Sequence, residues 1–294
     1  MFHAIAVNGT IAGAARALGY TPSAVSQHLA ALERETGVAL VERSNRGVRL
    51  TTAGSVLARR SGAVLDQVRT VFDEVAHAAG PQHTTVAIAA FPTAIPTIVL
   101  PTRFALAPAI ELAIVDAEPE DALRALEAHD VDCAVTDGNA TDLRPTDLHR
   151  TLLRKEPTRL VIPTARGPVT RLQDCRDDVW VLGGQFSRHG HAARQACRAA
   201  GYEPRVIAET EDHRIAFDVV RATRAVTLLP ELALVELPAG IAVAWQVGIG
   251  HVRRVEFVTR TTLRTNPAVT AVREALRRHL PPDARSAAVP VPAG

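Results

Sequence analysis

Ser23, Ser26, Gln27, His28 and Arg34 fall within one short segment, off the face marked by Val25, Leu29 and Leu32. Spacings of four and three place those three apolar residues on one side of a helix, which leaves the polar set on the other. Short polar side chains near the start of such a helix reach base edges in the major groove, and a glutamine amide such as that of Gln27 pairs with adenine through both of its polar atoms. Thr21 is the expected N-cap, and Pro22 the first helical residue, where a missing N–H costs nothing. Arg43, Arg46 and Arg49 follow at a spacing of three around a Ser44-Asn45-Arg46-Gly47 turn. Guanidinium groups on a hairpin of this kind suit phosphates or the minor groove. The alternative is an ordinary helical hairpin whose polar residues and turn are simply solvated.

Other groups with reactive chemistry form no constellation. Cys133, Cys175 and Cys197 are odd in number and widely spaced, so they read as small buried apolar residues rather than zinc ligands. A redox pairing of Cys175 with Cys197 is the alternative. His189 and His191 flank Gly190 without a third ligand, so neither a metal nor a cofactor is expected. Gly-x-Ser-x-Gly, His-Glu-x-x-His and a phosphate-binding loop are all missing from the sequence, and Gly183-Gly184 lacks the glycine spacing of a nucleotide fingerprint. No enzyme is expected.

The elements that must position the polar helix are legible around it. Thr10 is a plausible cap for an Ala-rich helix from Ile11 to Leu18, Gly19 ends that helix, and Gly37 ends the next. A short helix, a tight turn and a second helix make a helix-turn-helix, and the arginine hairpin reads as its wing. Residues 1–60 carry seven Arg against three Glu, whereas residues 80–294 carry 25 charges of each sign. A basic head on a neutral body suits a polyanion partner. Lys155 is the only lysine, a bias that runs through the whole chain and reflects coding preference more than phosphate recognition. No run of about 18 apolar residues is present, and Met1-Phe2-His3-Ala4 does not open a secretory signal. The expected location is the cytoplasm, with no membrane partner.

Beyond the head, Leu57, Val64, Val71 and Ala78 recur every seven residues, with Ser61, Val68 and Val75 between them. This is a coiled-coil seam. From Thr84 onward strand-like and helix-like runs alternate: a strand to Ala90, a helix from Ala94 to Leu106, strands near 109–117 and 132–135, and helices at 120–130 and after Gly184. A second unit begins near Pro163, and the chain returns to the first through Leu228-Leu229-Pro230. Such alternation gives mostly parallel sheets flanked by helices.

The run Ala14-Ala15-x-x-Leu18, Ser23-Ala24-Val25-Ser26, Leu32-Glu33, Gly37, Leu40, Glu42-Arg43 and Leu50-Thr51-x-Ala53-Gly54 resembles the DNA-binding head of LysR-type transcriptional regulators. It covers about 60 residues, in order and in spacing; the rest of the chain resembles the family's effector domain more loosely. Four features depart from the pattern, one being Val41, where an aromatic is common after the leucine. Thr21-Pro22-Ser23 stands where members carry Ser-Gln-Pro or Ser-Gln-Ser, Thr223-Arg224-Ala225 stands where they show Gly-x-Gly, and members have several more residues before Phe2.

The resemblance implies an α/β chain with four parts. These are a winged helix-turn-helix at 1–54, a linker helix at 55–80, a two-lobed effector domain at 84–280 resembling type 2 periplasmic binding proteins, and a disordered tail at 281–294. Lobe I is expected at about 84–161 and 229–280, and lobe II at about 162–228. The implied partners are double-stranded promoter DNA, a small-molecule effector between the lobes, a homodimer or homotetramer, and RNA polymerase. Thr21, Pro22, Ser23, Ser26, Gln27, His28, Arg34, Arg43, Arg46 and Arg49 are the expected DNA contacts. Ligands of open α/β sheets bind beyond the carboxyl ends of the strands. That places the expected effector contacts at Thr93, Ala94, Thr136, Gln185, Phe186 and Ser187, with free N–H groups after Thr93 offered to an anion.

Overall fold

The computed structural model describes residues 1–44, 47–79, 83–138, 147–185 and 187–282. Arg46, Phe186 and the tail from residue 283 lie outside the described residues, as does the expectation attached to each.

The head comprises α1 (Phe2–Asn8), α2 (Ile11–Leu18), α3 (Pro22–Thr36) and a wing of β1 (Val41–Ser44) and β2 (Gly47–Leu50). Phe2, Ile5, Ala14, Ala15, Val25, Leu29 and Leu40 form its core. The small alanines let α2 lie close across α3. The Glu33 carboxylate accepts from the backbone N–H groups of Leu40 (2.8 Å) and Val41 (3.3 Å), which fixes where the wing leaves α3. Thr51 closes the wing by donating from its backbone N–H to the Leu40 carbonyl and from its hydroxyl to the Ala39 carbonyl. The same hydroxyl accepts from Gly54 N–H at the start of α4 (Thr52–Ala79).

One end of α4 belongs to the head, since Leu57 and Ala58 pack against the head core. Its middle belongs to the body. Gly62, Asp66, Arg69, Thr70 and Asp73 follow i, i+4, i+7 spacing along one face, and that face meets the domain behind it. A Cβ on Gly62 would lie 2.0 Å from His129 Nε2, so only glycine lets the imidazole seat against the helix. Asp66 is 4% exposed and Arg260 is 6% exposed. They form a two-point ion pair, with Nε to Oδ2 at 2.7 Å and Nη2 to Oδ1 at 3.0 Å. His129 Nδ1 adds a contact to Oδ1 at 3.2 Å, and the Thr262 hydroxyl donates to Oδ2. Burial alone would raise the Asp66 carboxyl. Hydrogen bonds from His129 and Arg260, the guanidinium charge and Thr262 hold it far below the ordinary aspartate range. The opposite face of α4 carries Val64, Val68, Val71 and Val75, each about half exposed. The seam expected from the heptads is thus open along these four residues, while Leu57 is taken by the head.

The body begins with β3 (Thr84–Ala90), a π-helical turn (Ile95–Val99), α5 (Leu100–Arg103), β4 (Ile110–Asp116), α6 (Pro119–Glu127) and β5 (Cys133–Asp137). The helix expected from Ala94 to Leu106 is therefore shorter and irregular. Pro96 and Pro101 withhold N–H donors, and Leu100 N–H reaches back five residues to Ile95. β6 (Leu148–Pro163), β7 (Val179–Leu182), α7 (Arg188–Ala199), β8 (Arg205–Glu209), α8 (His213–Thr223), β9 (Thr227–Pro230), β10 (Ile241–Arg260) and α9 (Pro267–Arg278) follow.

The main sheet runs β4-β3-β5-β10-β6-β9. β3 is parallel to β4 and β5; β10 is antiparallel to β5 and β6. β7 and β8 pair in parallel, and β7 also bridges to Val226 just before β9. The long strands β6 and β10 run through both lobes. At one end Phe257 and Val255 sit in the core with Ile88 and Val135. At the other, Leu160, Ala244 and Val247 sit with Trp180 and Leu182. The expected return to lobe I at residue 229 needs correction. Leu229, Ala233, Leu234 and Ile241 pack in the second lobe with Val161 and Val181, because β9 and the first half of β10 both pair with β6 before β10 crosses over.

Asp66→Ala leaves the buried Arg260 with only the longer Asp132 contact, at 3.8 Å, among the described residues, so urea unfolding of the full chain should show a loss of about 3 kcal/mol, the lower end of the usual cost of breaking a buried pair from one side.

Candidate nucleic-acid interface and interlobe cleft

α2 and α3 are joined by Gly19, Tyr20 and Thr21. Gly19 takes φ 69° and donates its N–H to the Ala15 and Arg16 carbonyls, which closes α2 and turns the chain within three residues. Thr21 accepts from Ala24 N–H at 3.2 Å, and Pro22 occupies the first helical position. Thr21, Pro22, Ser23, Gln27, His28 and Arg34 are exposed, and Ser26 is half-buried. Among the described residues, Ser23, Ser26, Gln27, His28 and Arg34 spend no side chain on a hydrogen bond within the chain; His28 only rests edge-on against Tyr20. A helix face with unspent donors and acceptors is what base-edge recognition requires. Arg49 differs from the free guanidinium expected of it, because it forms an ion pair with Glu42 across the wing. Arg43 stands in β1, opposite Val48.

A cavity of about 310 Å³ opens between the lobes. Lobe I contributes Phe91, Pro92 and Thr93 after β3, Glu118 and Glu120 at the start of α6, and Asp137 at the end of β5. Lobe II contributes Ser187, Arg188 and His189 at the start of α7, with Glu211 and His213 at the start of α8. The long strands supply Thr158, His251 and Arg253. Arg253 lies 4.3 Å over the Phe91 ring, and it donates through Nε to the buried Glu156 carboxylate and through Nη2 to Thr93 Oγ1 at 3.1 Å. Glu156 also accepts from Leu232 N–H at 2.9 Å. Arg188 pairs with Glu120 at 2.8 Å and so ties α7 of one lobe to α6 of the other. His189 Nε2 bonds the Leu228 carbonyl. Burial lowers the His189 pKa to about 4 and outweighs that hydrogen bond, so the ring is neutral at pH 7.

Of the five expected effector residues that are described, the cleft contains two. Thr93 and Ser187 line it, although the Ser187 hydroxyl is occupied in capping α7 by accepting from Gly190 N–H at 2.9 Å. Ala94 and Thr136 are fully buried and do not line it, and Gln185 is exposed away from it. The N–H groups of Ala94 and Ile95 are not free for an anion, because both donate to the Phe91 carbonyl. Sequence reasoning missed Glu118, Glu120, Glu211, His251 and Arg253. The first three are ordinary acids near helix starts, and the last two lie on a long strand whose path is set by distant pairing. The only signal was the His189 spacing, which was read for metal alone. A second cavity, about 610 Å³, lies where α1, α4 and lobe I meet, beside the Asp66–Arg260 pair.

The model of the LysR substrate binding domain matches residues 79–281, and that of the bacterial regulatory helix-turn-helix protein, lysR family, matches residues 1–55. The chain belongs to the LysR family of DNA-binding transcriptional regulators. The LysR relatives include the transcriptional dual regulator GltC of Bacillus subtilis (strain 168), 27% identical over 240 residues, covering 79% of each chain. A full-length OxyR variant from Pseudomonas aeruginosa shares the fold at TM-score 0.69 and 19% identity, over 94% of this chain and 92% of that one. Full-length CbnR complexed with its target DNA does so at TM-score 0.55 and 22% identity, over 95% and 97%. Within this LysR frame the head carries the exposed polar helix and the two-lobed domain carries the cleft. Among the described residues no helix is long and apolar enough to cross a membrane.

Because His189 protonates at about 4 when folded and near the ordinary histidine value of 6.5 when unfolded, the unfolded chain binds the extra proton between those values. Stability therefore falls as pH drops from 6.5 to 4. His189→Gln, which keeps a donor for Leu228, should flatten that part of a melting-temperature profile relative to the native chain.

Proposed function

We propose that this regulator reads promoter DNA through the exposed face of α3 and changes its grip when a small molecule occupies the interlobe cleft. The observation that carries the proposal is the row Ser23, Ser26, Gln27, His28 and Arg34, unspent within the chain and adjacent to the wing. Thr21 and Pro22 set the start of α3 against the duplex, and Arg43, Arg46 and Arg49 serve as phosphate contacts. CbnR, whose structure with target DNA this fold resembles, offers the precedent for such docking. The open valine stripe of α4 pairs two copies as a homodimer or a dimer of dimers, which sets two heads on one face of a partly palindromic operator. The working units are the head at 1–54, the linker at 55–80 and two lobes, with Leu160 and Val161 of β6 and Ala244 and Val247 of β10 in the second. The effector shifts the population of two head arrangements. The regulator works in the cytoplasm, contacts RNA polymerase at the promoter and performs no catalysis of its own.

A mobility-shift titration on DNA from upstream of the chain's own reading frame tests this. Affinity should fall steeply and linearly in log–log form with salt, as counterion release demands. Gln27→Ala should cost about 1–3 kcal/mol of discrimination between the operator and a base-substituted copy while leaving non-specific binding unchanged. Retention of full discrimination in that variant would remove α3 from the reading role.

A further inference from the structure

The charges of the cleft do not balance. Glu118 comes from lobe I and Glu211 from lobe II, and both line the cavity. Glu118 stands at the N-cap of α6, yet its carboxylate does not turn back to cap the helix, and among the described residues it has neither hydrogen bond nor ion pair. Among the described residues Glu211 accepts only from Gly184 N–H, at 2.6 Å. The cations of the cleft are committed elsewhere: Arg188 to Glu120, and Arg253 to Glu156 and Thr93. One carboxylate of the mouth therefore has its cation across the lobes, and a second pair of carboxylates faces across the lobes with none.

We infer that the effector is a small organic cation, whose protonated amine or guanidine group bridges Glu118 of lobe I and Glu211 of lobe II. The assignment rests on the cleft being where the effector binds. An ammonium donates in several directions from a compact charge, and bonds between charged partners are the strong ones. Bridging would replace repulsion between lobes with attraction, so binding and cleft closure become one event. Glu118 is exposed at the cavity, and partial desolvation together with the Glu211, Asp116 and Glu120 carboxylates raises its pKa against the pull of Arg253. A ligand cation would reverse those like-charge contributions. The Arg253 guanidinium in the cavity lining is stacked on Phe91 and paired with Glu156, so the ligand's cation belongs beside Glu118 and Glu211 instead. At about 310 Å³ the cavity is at the small end of ligand pockets, which limits the effector to a compact molecule.

The test uses thermal shift and calorimetry on the full chain with 1,5-diaminopentane and L-lysine as cationic probes, and glutarate and benzoate as anionic ones. The expected result is a raised melting temperature with at least one cationic probe and neither anionic one. Glu118→Gln and Glu211→Gln should each weaken that binding about tenfold, as loss of a charged hydrogen bond does, while the surface control Glu236→Gln leaves it unchanged. Glu211→Gln, which keeps the acceptor for Gly184, should also raise the ligand-free melting temperature at low salt by removing repulsion across the cleft. An anionic probe that binds and is lost in the cleft-filling Thr93→Trp variant would overturn the cation and leave the cleft as the effector site. No response to any probe, with a ligand-free Glu211→Gln chain no more stable than the native one, would overturn both.

Discussion

Asp66 and Arg260 are 194 residues apart in sequence and share a buried two-point ion pair. The rest of the architecture depends on this contact. Arg260 is the last residue of β10, the strand that runs through both lobes, and its Nη1 also donates to the carbonyls of Leu126 and Val131 behind α6. Asp66 lies midway along α4, whose first turns are part of the head core. Arg69 reinforces the same clamp by pairing with Asp132 and donating to the Thr85 carbonyl at 2.8 Å. A buried ion pair adds little net stability compared with apolar packing. Its value here is geometric, because the partners must meet in one orientation or leave a charge unpaired.

That geometry joins the two halves of a regulator. α3 is held by the head core, the head core holds Leu57 and Ala58 of α4, and α4 is clamped to lobe I. Lobe I in turn meets lobe II through β6 and β10, with the cleft between them. β10 spans both lobes, and its last residue, Arg260, holds the linker. No wire of side chains is required; two rigid bodies and one shared helix suffice. His3 extends the clamp, since its Nε2 contacts the Ala128 carbonyl at 3.1 Å and its ring sits edge-on to His129 at 4.6 Å.

What was legible in the sequence was local. Thr10, Gly19, Thr21, Pro22 and Gly37 each act within four residues of themselves, so the helix ends of the head follow from residue type alone. The heptads of α4 were legible for the same reason, although not which face would turn to lobe I. That choice depends on Asp66, Arg69 and Asp73 finding partners far along the chain. The continuous strands β6 and β10 are not legible locally because their pairing, from Ile241 with Pro163 to Arg260 with Leu148, is set across 78 to 112 residues. The cleft is legible only in part for a related reason. The ends of β3 and β5 reach it through Thr93 and Asp137, whereas Ala94 and Thr136 turn into the core, and Arg253 and His251 arrive from a strand that local pattern does not reveal.

The account's central claim is that the linker holds the head and lobe I in one fixed relation. Pulsed electron-electron resonance between spin labels at His28→Cys on α3 and Asp130→Cys on lobe I measures that relation directly. The account predicts one narrow distance distribution in an otherwise native chain and a broad one when Asp66→Asn is added. A distribution already broad with Asp66 intact would contradict it.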